Sequence, residues 1–421
     1  MKIALVLLAL AGHIATHSHA FAQGGPLTPP PGAPTQNMRS LQEIWDKIGV
    51  LETQNAALQA ELQAVKTQNQ AIQSQSLYYH YASGGGLPWK ITTVDSVGNM
   101  GSESVSLAFG PDGQPAIAYR DGTNLRVKFA RFNGATWSFT TIDPAVTAGA
   151  YLSLAFGPDG HPAIAYYQED ARDLKIARFN GTSWTPITVD STGIVGGYLS
   201  LAFGPDGQPA ISYFDDTNKD LKFARFNGTS WVLAVVDNTA STIVGLDTSL
   251  AFSPDGQPAI SYYDSTGANL KFAIFNGTSW LISNVDIVGN VGEFSSLAYG
   301  PDGQPAISYF DRTNNDLKFA RSNGSTWSVS TVDSAGTVGA FSSLEFGPDH
   351  QPTIAYHDIT NGNLKLARSN GTAWSFTSVD QPGNVGLHAS LEFGPDGLPA
   401  IAYYFADQGD LKFARMALPA P

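Results

Sequence analysis

The chain has 421 residues, 43% of them hydrophobic, with 36 acidic against 23 basic side chains, a formal net charge of −13 and no cysteine. Such an acidic surface repels nucleic acid and anionic membrane, so neither is an expected partner. The lack of cysteine excludes a disulfide framework and a lipid-modified N-terminal cysteine.

Residues 1–22 read as an export signal, with Lys2 as the basic end, Ile3 to Ala11 as the apolar run and Ala20-Phe21-Ala22 as a small-x-small cleavage site. The run is shorter than the ~20 residues of a membrane span. The expectation is therefore a secreted or periplasmic bacterial protein without membrane insertion. Residues 23–37 (QGGPLTPPPGAPTQN) are Pro/Gly-rich and read as an extended, disordered leader.

Residues 38–76 change character. Leu41, Ile48, Asn55, Leu62 and Asn69 fall at heptad position a, and Ile44, Leu51, Leu58, Val65 and Ile72 at d. Five heptads in phase predict an α-helical coiled coil, a stalk ~50 Å long at ~1.5 Å per residue. Lys47 facing Glu52 and Glu61 facing Lys66 suit parallel helices, so these ten positions predict a homo-oligomer, with two or three chains left open. A single amphipathic helix is the alternative. Residues 77–87 read as a hinge.

The rest, residues 88–421, is a repeat. Ser-Leu-Ala/Glu-Phe/Tyr begins at Ser106, Ser153, Ser200, Ser249, Ser296, Ser343 and Ser390, with its leucines 47, 47, 49, 47, 47 and 47 residues apart. Within Ser200 to Asp237, four short apolar runs are separated by Gly-Pro-Asp-Gly, by Asp215 and by Asn227-Gly228. Asn-Gly is a strong hairpin signal because both residues tolerate positive φ, and Pro-Asp-Gly supplies a second tight turn. Each unit is thus a four-stranded meander that must be covered by its neighbours. The fold class is all-β, a seven-bladed β-propeller. Seven tryptophans open the fourth runs, but Trp89 to Asp95 precedes the first unit and the last unit lacks its own. The N-terminal strand is therefore expected to complete the last blade. An open seven-turn solenoid is the runner-up.

Ala251-Phe252-Ser253-Pro254-Asp255-Gly256-Gln257 resembles the blade motif of TolB-like propellers. Asn323-Gly324-Ser325-Thr326-Trp327 resembles the end of the Asp-box hairpin of sialidase-like and lectin propellers, with Ala320 and Ser322 in place of the Asp-box serine and aspartate. These motifs are turns and packing points in those families. The resemblance implies the fold and carries over no catalytic residue.

Lys128, Lys175, Lys222, Lys271, Lys318, Lys365 and Lys412 recur in every unit, and an arginine three residues later recurs in all but one, where Ile274 stands. A charge repeated around a ring reads as half of a repeated ion pair, with the aspartates ending the fourth strands as partners. Asp121, Asp215, Asp264, Asp311 and Asp358 form a second acidic series, read either as a ring of oxygen ligands for sugars or Ca²⁺, or as Asx turns. Calcium is the one cofactor considered. Glu345 and Glu392 replace alanine in two successive first strands, and are either paired catalytic carboxyls or solvated channel residues. Tyr151, Tyr198, Phe294 and Phe341, expected just before the first strands, and the blade-specific His388 are candidates to stack on a sugar or to pack between blades. The functional expectation is a secreted binding protein for a glycan or cell-envelope polymer. A carbohydrate-active hydrolase or lyase and a protein-docking module are the alternatives.

Overall fold

The computed structural model describes residues 46–55, 58, 88–239 and 241–416. From residue 88 onward these form seven four-stranded antiparallel sheets, in six of which each strand pairs with the next in sequence. The third sheet shows the pattern: Val195–Phe203, Pro209–Asp215, Asp220–Phe226 and Trp231–Asp237. We number the blades from the one that opens at Met100–Phe109. The turns follow from their residues. Asn227 Oδ1 accepts the Thr229 and Ser230 N–H groups at 2.9 Å, closing the hairpin before the fourth strand. Asp206 Oδ1 accepts Gln208 N–H at 3.1 Å beside Gly207, whose φ is 74°.

The seventh blade is the split one. Its strands run in the order Trp89–Asp95, Asp410–Met416, Pro399–Phe405, Val385–Phe393. Trp89 lies opposite Met416, Thr93 opposite Lys412 and Asp95 opposite Leu411. The expected strand exchange is thus observed, and the ring is closed.

Closure is repeated at the inner edge. Each first strand turns the N–H of its tetrad leucine toward the preceding blade, and such a donor needs a partner. The tetrad serines supply it: Ser200 Oγ accepts Leu250 N–H at 3.1 Å, and Ser343 Oγ accepts Leu391 N–H at 2.9 Å. The same bond joins every neighbouring pair, including Ser390 Oγ to Leu107 N–H at 2.9 Å across the seam. Position and burial then agree. Second strands such as Pro209–Asp215 are buried along their whole length, while fourth strands such as Trp231–Asp237 are at least partly exposed until their last two residues.

Blades hold each other through mixed cores. Ala210, Leu221 and Phe223 of blade 3 pack with Leu250, Ile260 and Tyr262 of blade 4, and Trp280 meets Phe223 edge-on at 5.1 Å. Trp137 does the same to Phe413 across the seam, at 5.5 Å. Each repeated lysine pairs with the aspartate ending the preceding blade's fourth strand, as Lys271 does with Asp237. A buried tyrosine of the second strand donates to the same carboxylate, at 2.6–2.8 Å in all seven blades. The arginines differ from expectation. They pair instead with the Pro-Asp-Gly aspartate of their own blade, as Arg225 does with Asp206 at 2.9 Å. From there the guanidinium of Arg225 lies 5.0 Å from the Phe252 ring of the next blade.

N-terminal to the ring, residues 46–55 and Leu58 are helical. Of the ten heptad positions, Ile48 is half-buried there, and Leu51, Asn55 and Leu58 are exposed. Leu41, Ile44, Leu62, Val65, Asn69 and Ile72 lie outside the described residues, as do the export signal, the leader and the hinge. The described helix is about three turns long, where the heptads predict about eleven. No described helix is long and apolar enough to cross a membrane.

Candidate functional site

The first strands line the central channel, and each carries an irregularity. In blade 3 the pairing steps from Gly197 opposite Phe214 to Ser200 opposite Ser212, so one strand spends an extra residue. This is a bulge, a device that re-aims a side chain. The residue it re-aims is Tyr198, with φ 51°. Asp247, Phe294, Phe341 and His388 occupy the same place in the next four blades, with φ between 48° and 54°. A side chain with Cβ in this left-handed region costs about 1–3 kcal/mol. In blade 1 the left-handed residue is Glu103, with φ 73°, next to Ser104. Tyr151 fills the place in blade 2.

Neighbouring blades hold these bulges. Thr248 donates its hydroxyl to the Tyr198 carbonyl at 2.7 Å, Ser295 to that of Asp247 at 2.9 Å and Ser342 to that of Phe294 at 2.9 Å. Backbone groups freed by the distortion are satisfied from the next blade, which offsets part of its cost.

Together these side chains rim a cavity of about 430 Å³ at the channel mouth. Its rim has two aromatic groups. Tyr151 and Tyr198 lie 4.6 Å apart, while Phe341 sits between Phe294 at 4.5 Å and His388 at 4.3 Å. Between them stand two carboxylates. Burial pushes the Asp247 carboxyl up to about 6, although Phe294 N–H bonds it at 3.0 Å. Glu103 is anchored by Arg120, which also bonds Glu169 at 3.0 Å. Burial, with the nearby His357, lowers His388 to about 4, leaving it neutral at pH 7.

Tyr151, Tyr198, Phe294, Phe341 and His388 are thus brought together, within the first strands rather than before them. Asp247 and Glu103 were missed. Asp247 had a signal, since it stands three residues before a tetrad leucine in a mostly aromatic column. Glu103 had none, because blade 1 shifts its bulge by one residue.

The second acidic series is not at this site. Asp215 Oδ1 accepts Thr217 and Asn218 N–H at 3.0 and 3.1 Å, and its Oδ2 accepts the Asn218 amide at 2.9 Å. Asp121 and Asp311 do likewise, and Asp264 and Asp358 each cap their own turn. All five are at most 7% exposed, so they are Asx-turn caps with committed oxygens rather than an open ring of ligands for sugar or Ca²⁺. Glu345 and Glu392 are half-buried on the first strands of blades 6 and 7 and do not line the rim cavity. They lie four residues beyond the mouth position on their strands, ~13 Å further along. Burial raises both carboxyls, Glu345 to about 7, and Glu392 is raised further by the charge of Glu345.

No protein-family model and no curated protein sequence matches the chain. Solved structures do. A polysaccharide lyase, a PL25 ulvan lyase, superposes with a TM-score of 0.53 at 11% identity, over 76% of this chain and 95% of its own. YCF48 bound to D1 peptide superposes with a TM-score of 0.51 at 16% identity, over 80% of this chain and 100% of its own. At these identities the likeness establishes the propeller fold alone.

Proposed function

We propose that the protein is a binding protein, exported from the cell, that holds a glycan end at the channel mouth. One observation carries this reading: in a ring of near-identical repeats, a first-strand column that changes from tyrosine to aspartate to phenylalanine to histidine is presented on strained backbone around a cavity. Strain of this kind persists where the surroundings enforce it, and it clusters at ligand sites. The mixture on the rim suits sugars. Aromatic rings match their C–H faces, while Asp247, Glu103 and the phenols of Tyr151 and Tyr198 match their hydroxyls. Residues 38–76 extend the reading: as a coiled coil they would join several rings, and weak sites would gain strength by effective concentration. A hydrolase or lyase acting through Glu345 and Glu392 is less favoured, because that pair sits ~13 Å from the rim.

A glycan array with the full chain tests the proposal. Binding to a restricted set of oligosaccharides is expected, with Tyr198→Ala and Phe341→Ala each weakening it about tenfold or more, a loss of ~1.4 kcal/mol. Undiminished binding by both variants, with unchanged melting, would place the ligand elsewhere.

A further inference from the structure

Three departures from the repeat fall on neighbouring inner strands of blades 6 and 7. Five blades carry alanine in the first strand at Ala108, Ala155, Ala202, Ala251 and Ala298, where blades 6 and 7 carry Glu345 and Glu392. Six blades carry alanine at the second residue of the second strand, where blade 6 carries Thr353. Thr353 lies directly opposite Glu345 in the sheet, so their side chains share one face. Its hydroxyl is fully buried and has no hydrogen-bond partner. A buried, unsatisfied hydroxyl is costly, and alanine, which the fold accepts in the other six blades, would avoid that cost. The two glutamates are on adjacent inner strands tied by the Ser343–Leu391 bond at 2.9 Å. Neither forms an ion pair among the described residues. Arg368, on the far side of Thr353, pairs with Asp349 instead.

We propose that Glu345, Glu392 and Thr353 form a site for one hard divalent cation in the channel. Two carboxylates and a hydroxyl are the oxygen donors such ions take, and channel water completes the shell. Calcium, which accepts irregular sets of six to eight oxygens, fits better than magnesium, which demands a near-ideal octahedron. Cation binding would offset the cost of burying both carboxylates and would give the Thr353 hydroxyl its missing partner. The site is independent of the glycan reading, since it uses none of the rim residues.

The test is calorimetry and thermal melting of the full chain after EDTA treatment and dialysis, titrated with CaCl₂ and, separately, MgCl₂. Saturable binding of one Ca²⁺ per chain is expected, with a rise in melting temperature and a weaker response to Mg²⁺. Glu345→Ala and Glu392→Ala restore the residue used by the other blades, so both variants should fold. Each should lose the calcium response, and Thr353→Ala should weaken it several-fold. No saturable heat with wild type, or an unchanged response in Glu345→Ala, would overturn the proposal; the first result would leave the carboxyls as a proton-sharing pair only.

Discussion

At the scale of single residues, the seven Asp–Lys–Tyr contacts tie stability to pH. Burial opposes the ionisation of Asp95, Asp190, Asp237, Asp286 and Asp333, but hydrogen bonds from lysine and tyrosine more than offset it. Their carboxyls are therefore held below the ordinary value of 3.8. A carboxyl depressed by folding adds stability above its unfolded pKa, and loses it as pH falls through the folded value. Urea midpoints should consequently be flat near neutrality from this source and fall steeply below about pH 4. Asp237→Ala, which strands the Tyr262 hydroxyl and leaves Lys271 only Asp264 at 3.9 Å, should cost about 3 kcal/mol at pH 7 and leave a shallower acid decline. An acid profile identical to wild type would contradict the assignment. The lysine-to-aspartate pairing was legible because both recur in every repeat. The tyrosine was not, since a strand tyrosine reads as ordinary core until its hydroxyl is seen meeting a carboxylate.

At the scale of elements, the strand Trp89–Asp95 pairs with a strand more than 300 residues away in sequence. It was legible from arithmetic: one tryptophan run too early, one missing at the end. Deleting it would strip the last blade to three strands and expose the edge of Asp410–Met416. Loss of the cooperative melt is expected, by circular dichroism. Moving the same seven residues after Met416, through an Asn-Gly-Thr-Ser turn like residues 227–230, should restore it. A deletion that melts like wild type would show that the seam strand is dispensable. The first-strand bulges were not legible. Their left-handed residues include tyrosine and two phenylalanines, which local preference places in ordinary strand. Contacts from the next blade override that preference, and a single repeat does not contain them.

At the scale of the whole molecule, the architecture separates constancy from variation. Serine bonds, tryptophan staples and buried ion pairs repeat around the ring and fix its shape, whereas the rim of the channel changes from tyrosine to aspartate to phenylalanine to histidine. The central claim is that this rim is where a ligand sits. Hydrogen exchange of the full chain, with and without an oligosaccharide selected on the array, tests it most directly. Slowed exchange is predicted in the opening residues of Ala148–Phe156, Val195–Phe203, Val244–Phe252, Val291–Tyr299, Val338–Phe346 and Val385–Phe393. Protection confined to the fourth strands, or to the turns capped by Asp121, Asp215, Asp264, Asp311 and Asp358, would contradict it.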